Sequence, residues 1–312
     1  MNILITGIHG FVGSNLVERF SFENTIYGLD IVSPQKEGVV RTYSWKDLEQ
    51  GKIPKGIDAI IHLAGKAHDT RNQSKAQIYF DINTGLTQKI YDYFLDSSAK
   101  KFIFFSSVKA AADKVEGDVL TENVVPSPKG PYGESKIKAE EYIKSKWSAE
   151  KSIYILRPCM IHGPGNKGNL NLLYNVVSKG IPWPLGAFEN KRSFTSIDNL
   201  CYILEGLLTK DVVSGIYHIA DDEAVSTNEI IQIICQSMGR KASIWKLNKN
   251  MMEIFAELGS VLHLPFNMER LSKLTENYIV SNVKIKEALE ITYLPVKAKD
   301  GLIRTIKSFQ KK

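Results

Sequence analysis

The chain has 312 residues, 43 % of them apolar, which is enough for one large domain or two ordinary ones and excludes a disordered chain. Its 40 Lys and Arg against 34 Asp and Glu give a net charge of +6, but the cations are dispersed among the acids and argue for no nucleic-acid partner. Three cysteines (Cys159, Cys201, Cys235) without ligand spacing exclude a disulfide framework and a zinc site, and no apolar stretch approaches the ~18 residues of a membrane span, so a cytoplasmic protein with no metal and no membrane partner is expected.

In chain order, Asn2–Thr6 reads as a short apolar strand, and Phe11–Phe20 follows with helical spacing of its apolar residues. Between them stand Gly7, Gly10 and Gly13. Strand, tight turn and helix N-terminus come in the order that aims free backbone N–H groups and the positive end of a helix dipole at a pyrophosphate. Gly7 is read as permitting the turn, Gly10 as letting the backbone approach phosphates, and Gly13 as allowing helix to pack on strand. A second strand, residues 25–30, ends in Asp30, 23 residues after Gly7, where a carboxylate accepts hydrogen bonds from an adenosine ribose.

Further strands are expected at residues 59–63, 101–105, 152–156 and 215–219, with helical patterns between them, as at 84–95 and 135–143. This alternation predicts a Rossmann-type α/β fold, a doubly wound parallel sheet covered by helices on both faces. Residues 1–165 are expected to form the NAD-binding domain, with a return to it at about 193–220. Residues 166–312, mainly helical beyond 220, are expected to form a smaller substrate domain. The loops at 163–165 and 180–184 carry the Gly-Pro chemistry of a domain edge or cleft.

Polar residues fall beyond the carboxyl ends of the strands, where such sheets bind ligands. Ser106 and Ser107 follow the fourth strand, and Tyr132 stands 25 residues after Ser107 with Lys136 one helical turn on. A free tyrosine has a pKa of about 10 and is a poor base at neutral pH. A cation ~4 Å away at an effective dielectric of ~20 favours the phenolate by ~4 kcal/mol, so Lys136 and a nicotinamide cation are expected to bring Tyr132 near 7. Ser107 would hydrogen-bond the same substrate oxygen and stabilise the charge developing there.

The ordered set Thr6-Gly7-x-x-Gly10-Phe11-Val12-Gly13, Asp30, Asp58-x-x-Ile61-His62-Leu63-Ala64-Gly65, Asn83, Ser106-Ser107, Tyr132-Gly133-x-Ser135-Lys136, Arg157-Pro158, Gly163-Pro164-Gly165 and Arg192-Ser193-Phe194 resembles the extended short-chain dehydrogenase/reductases, specifically the NAD-dependent epimerase/dehydratase family acting on nucleotide sugars. The resemblance covers nearly the whole chain. It implies an NAD cofactor held by Gly7, Gly10, Phe11, Val12, Gly13, Asp30, Leu63, Ala64, Gly65, Asn83, Ser106, Tyr132, Lys136 and Pro158, with Asp47 and Leu48 beside the adenine. It implies that Tyr132 is the acid/base, that Ser107 is its partner at the substrate, and that Arg192 holds the diphosphate of a UDP-sugar. A homodimer is also expected.

Three activities stay open at this point. A UDP-sugar 4-epimerase leads; a 4-keto reductase of a UDP-6-deoxy-N-acetylhexosamine uses the same Tyr, Lys and Ser but consumes NAD(P)H in each turnover; a non-catalytic NAD(P) sensor would not need the Tyr-x-x-x-Lys pair. Dehydratases of the family usually carry an acidic pair beside the catalytic serine, where Val108 and Lys109 stand here. Lys109 and the stretch from Lys66 to Asp69 are candidates to face the cleft. His162, where many members carry Tyr, is read first as a packing residue, and Arg270 is left without a role.

Overall fold

The structure, a computed structural model, describes residues 1–66, 75–166, 168–264 and 266–310. The N-terminal half runs β1 (Asn2–Thr6), α1 (Phe11–Phe20), β2 (Thr25–Leu29), β3 (Arg41–Tyr43), α2 (Trp45–Glu49), β4 (Ala59–His62), α3 (Ala76–Tyr79) and α4 (Leu86–Asp96), the last two joined by a turn of π-helix at Phe80–Gly85. It continues through β5 (Lys101–Phe105), α5 (Val108–Ala111), α6 (Pro131–Ser145), β6 (Ser152–Pro158) and β7 (Met160–His162). Then come α7 (Asn169–Val177), β8 (Phe194–Ser196), α8 (Ile197–Thr209), β9 (Gly215–Ile219), α9 (Thr227–Ser237), α10 (Lys249–Val261), α11 (Met268–Thr275), α12 (Val283–Leu289) and α13 (Ala298–Phe309).

Among the described residues, seven strands form one parallel sheet in the order β3-β2-β1-β4-β5-β6-β9. This is the Rossmann arrangement expected from the sequence. Side chains alternate across a strand, so Ile3, Ile5, Ile61, Ile103 and Leu156 face one way, onto α1 and α8. Leu4, Ile60, Phe102, Phe104 and Ile155 face the other, onto α4 and α6. Both faces are apolar because both are covered, and each fully buried Ile or Phe contributes about 1.5–3 kcal/mol.

The chain reverses its winding at β1, whose neighbours are β2 on one side and β4 on the other. A crevice therefore opens at the carboxyl ends of β1 and β4. Gly7 turns there with φ +69°, and a Cβ on it would lie 2.9 Å from the Ala64 nitrogen. A Cβ on Gly13 would lie 2.6 Å from the Gly7 carbonyl, so only glycine lets α1 start this close to β1.

Three strands were not foreseen. β3 has three residues and stands at the sheet edge, too short to show a period. β7 and β8 pair with each other in a separate two-stranded sheet, a contact between segments more than 30 residues apart. The helix expected at 84–95 opens instead on the π turn, which carries Asn83 into the interior. A second core gathers α7, α9, α10, α11 and α13 through Leu170, Ile230, Ile234, Ala256, Leu271 and Leu302. Ser226 and Glu229 cap the start of α9 reciprocally, and Asn248 and Asn267 cap α10 and α11.

Candidate active site

The N-terminus of α1 carries no side-chain cap and no acid in its first turn, which leaves its leading N–H groups to an anion. Phe11, at its start, packs against the Gly163-Pro164-Gly165 loop, and Asn15 donates to the carbonyls of Phe11 and Pro164 at 2.8 and 3.3 Å. Asp30 lies just past β2 and its carboxylate accepts from the backbone of His9 and Ile31 at 3.0 and 2.7 Å. Those bonds aim it at the crevice while leaving acceptor sites for hydroxyls. Lys36, six residues on, donates to Ser14 in the first turn of α1 at 3.0 Å. Asp47 and Leu48 lie farther along this edge: Asp47 closes a capping box with Ser44 that lowers its pKa, and the Leu48 side chain is in the core.

Opposite this loop, three side chains tie β1, β4 and α4 to the π turn. The Thr6 hydroxyl accepts from the Ala64 N–H at 3.0 Å and lies 2.6 Å from His62 Nδ1. His62 Nε2 lies 2.9 Å from the Thr87 hydroxyl, which donates to the Asn83 carbonyl at 2.6 Å. With the Thr87 proton used on Asn83, His62 must donate from Nε2 and accept at Nδ1, which makes it neutral. Burial accordingly holds its pKa well below the usual value, with the charge of Lys136 adding to the effect.

Asn83 passes the connection on to α6. Its amide receives the Lys66 N–H at 2.7 Å and donates to the Lys66 carbonyl and the Ser135 hydroxyl at 3.2 and 2.9 Å, and Ser135 donates to the Tyr132 carbonyl at 2.9 Å. Pro131 opens α6 with its φ already helical. A Cβ on Gly133 would lie 2.5 Å from the Lys109 carbonyl, so this glycine lets α6 close onto α5. The Ser107 hydroxyl caps α5 by accepting from the Lys109 N–H at 3.2 Å, and it is hydrogen-bonded to the Tyr132 phenol.

Ser107 is thus brought to Tyr132, and Lys136 lies one helical turn further on. Burial raises the Tyr132 pKa, Ser107 lowers it by less, and Tyr79, edge-on to its ring at 6.4 Å, raises it further. The Lys136 ammonium is turned to the Phe105 carbonyl at 2.8 Å and lies 5.1 Å from the centre of the Phe104 ring. Burial pushes its pKa down to about 8, against the upward pull of Glu140. Burial thus favours the neutral phenol, and the nicotinamide cation expected beside it would act the other way.

The Ser106 hydroxyl does not face the crevice. It donates to Glu140 at 2.5 Å, and Glu140 receives Arg157 through two N–H groups at 2.9 and 2.6 Å. This buried pair joins residues 17 apart in the chain, on α6 and β6, and no local spacing announces it. Pro158 closes β6 in register with Ile219. His162 is fully buried and lies 2.9 Å from Thr305 of α13 and 3.7 Å from Asp221, the packing role read first. Asp221 is itself a hub, accepting from the Ser196 backbone and hydroxyl and from the Asn199 amide. Lys109 pairs with Asp113 at 3.1 Å and lies over the Tyr278 ring. Lys66 stands over the Tyr79 ring at 5.6 Å, and His68 and Asp69 lie outside the described residues.

Arg192 exchanges backbone bonds with Val225, and its guanidinium donates to the Lys273 carbonyl at the end of α11. Burial lowers its pKa, opposed by Glu276, Tyr278 and Cys159. It is thus a desolvated cation between the second core and the Cys159 end of β6.

The profile of the NAD dependent epimerase/dehydratase family matches residues 3–233. The chain belongs to this family. The enzyme class and the NAD cofactor expected from the sequence are those of the family. It is similar to the UDP-glucose 4-epimerase of Vibrio cholerae, 29 % identical over 261 residues that span 79 % of this chain and 78 % of the relative. It is also similar to the N-acetyl-alpha-D-glucosaminyl-diphospho-ditrans,octacis-undecaprenol 4-epimerase of Escherichia coli O157:H7, 28 % identical over 297 residues, 92 % of this chain and 85 % of the relative. The UDP-glucuronic acid 4-epimerase of Bacillus cereus, solved with NAD, superimposes with a TM-score of 0.76 at 21 % identity, over 100 % of this chain and 99 % of that one, a likeness of fold. Among the described residues, no helix is long and apolar enough to cross a membrane and no cluster of side chains could hold a metal.

Proposed function

We propose that the protein is an NAD-dependent 4-epimerase of a nucleotide sugar, with Tyr132, Lys136 and Ser107 as its reacting groups. The observation that carries this reading is the Ser107-Tyr132 hydrogen bond at the mouth of the switch-point crevice, with the Lys136 ammonium buried behind it. The residues present fit the cofactor. The uncapped start of α1 suits the pyrophosphate, Asp30 the adenosine ribose, and a Cβ on Gly65 would fill the space 3.2 Å from the Lys136 ammonium that a ribose edge needs. Asp30 also favours NAD over NADP, because a 2'-phosphate would meet its carboxylate and Lys36 is engaged with Ser14.

NAD bound there would supply hydride chemistry at C4 of the sugar. Tyr132, as its phenolate, would take the proton from the C4 hydroxyl and return it to the C4 oxygen of the rotated keto sugar. Ser107 donates to the same oxygen, where charge collects. Lys136 lowers the cost of the phenolate when its ammonium is free to face the phenol. Asn83 and Ser135 set the start of α6, and with it the Tyr132 backbone. Arg192 holds the diphosphate as a bidentate donor. We place residues 1–165 and the return at 193–220 in the cofactor half and the remainder in the substrate half, although Ile285, Leu289 and Leu294 pack back into the core of the sheet.

A second reading, in which the same sugar chemistry acts on a polyprenyl diphosphate, is favoured by an exposed apolar helix linked to Arg192 through α11, argued below. Denaturing the purified protein and identifying the released nucleotide tests the main reading. Stoichiometric NAD, with C4 inversion of UDP-sugars in the absence of added cofactor, is the expected result. An empty site with consumption of NAD(P)H on a 4-keto sugar would replace the epimerase with the reductase.

A further inference from the structure

We propose that α10 and the segment leading into it dock the protein on an anionic lipid surface. Met251, Ile254, Phe255, Leu258, Val261 and Leu262 stand at i, i+3, i+4, i+7, i+10 and i+11, one continuous stripe of the helix. They are 39–75 % exposed. The stripe is not the face that folds the protein: α10 meets the second core through Met252, Ala256 and Gly259, on another side. Glu253 and Glu257 occupy the flank between, so three distinct faces share one helix. Contiguous exposed apolar side chains at this spacing mark an interaction surface.

The segment leading into the stripe identifies the partner. From Ile230 to Met252 the chain carries Arg240, Lys241, Lys246 and Lys249 and no acid, and all four cations are exposed. Trp245, 54 % exposed, stands among them. An apolar helical face with Phe and Leu, preceded in the chain by Lys, Arg and an exposed Trp, suits the headgroup region of an anionic bilayer, where exposed cations meet lipid phosphates and the stripe enters the acyl boundary. The expectation of no membrane partner rested on the lack of a spanning segment, which a peripheral face does not need.

The position of the face ties it to the site. The Met268 N–H at the start of α11 donates to Ser260 of α10 at 3.0 Å, and the Lys273 carbonyl at the other end of α11 receives the Arg192 guanidinium. Arg192 thus stands at the far end of α11, the helix tied at its start to the one that carries the docking face. A sugar carried in the membrane on a lipid diphosphate becomes a substrate the protein meets directly; this consequence rests on the epimerase reading, whereas docking itself does not.

The test is flotation of the full-length protein with vesicles of phosphatidylglycerol and phosphatidylethanolamine, against vesicles of phosphatidylcholine. The wild type is expected to float with the anionic vesicles only, and added salt should weaken binding. Phe255→Ser with Leu258→Ser, and separately Lys246→Glu with Lys249→Glu, should each weaken it at least tenfold, with unchanged near-ultraviolet circular dichroism and unchanged turnover of a soluble nucleotide sugar. Wild-type protein that stays with the soluble fraction overturns the proposal. So does undiminished flotation of the apolar double variant. Lipid-free self-association of the wild type that this variant abolishes would also overturn it, by showing a second copy on the stripe. Failure of the epimerase reading would show separately, as absence of C4 inversion on any soluble or lipid-linked sugar.

Discussion

Replacing Glu140 with Gln probes stability and chemistry at once. Its carboxylate is fully buried and accepts three hydrogen bonds, from Ser106 at 2.5 Å and from Arg157 at 2.9 and 2.6 Å. A glutamine would set its amide nitrogen against one of these donors and leave the Arg157 charge without a counter-ion. Breaking a buried pair from one side costs about 3–5 kcal/mol, so denaturant unfolding should register a loss of that order. Glu140 also pulls the Lys136 pKa upward to about 8 against desolvation. Without it the ammonium deprotonates at lower pH. If the proposed chemistry needs Lys136 charged, the alkaline limb of kcat/KM must then shift to lower pH. The double variant Glu140→Gln with Arg157→Met removes both charges and should recover part of the lost stability, yet keep the shifted limb. A single variant that loses under about 1 kcal/mol and keeps the wild-type limb would refute the reasoning.

Three further outcomes are expected. Tyr132→Phe should bind NAD as the wild type does and lose about 10²–10⁴ in turnover, measured by equilibrium dialysis and by sugar inversion; near wild-type turnover would remove Tyr132 from the chemistry. Arg192→Ala should weaken UDP binding about ten- to 150-fold, equivalent to about 1.5–3 kcal/mol, and leave NAD binding unchanged in calorimetry. His218 is fully buried on β9, and burial, with Arg157 nearby, pushes its pKa down to about 4. The unfolded chain binds this proton near 6.5, so its contribution to stability is complete above that pH and is lost as pH falls toward 4, up to about 3 kcal/mol. His218→Phe should flatten the acid side of a stability curve between those values, and an unchanged slope would show that His218 does not carry it.

The sheet was legible because a strand buried on both faces writes a continuous apolar run, as at 101–105 and 152–156, while its helices write a different period. Tyr132, Lys136 and Ser107 were legible because local geometry, a turn of helix and a strand end, already fixes where they point. Pairings across the chain were not. β7 and β8 meet only after the intervening α7 has folded back, and no period in three residues announces that. Nothing in the sequence gives the partners of Glu140, Asp221 and His62. Their roles arise from partners brought by the fold: Arg157 from β6, Asn199 from α8 and Thr87 from α4. Spacing likewise gives no sign of the burial that raises the Tyr132 pKa or of the turn of Lys136 toward the Phe105 carbonyl.

The central claim is that one hydride leaves C4 and returns to the same carbon with the configuration inverted. Its most direct test is a panel of sugars deuterated at C4, carried on UDP and on a polyprenyl diphosphate, incubated with the purified protein in ordinary water without added cofactor and followed by NMR. The account predicts, for at least one of them, an inverted product that keeps its deuterium at C4. Inversion with loss of the label to solvent would contradict it, because the hydrogen would then have moved as a proton, and so would the absence of inversion across the panel.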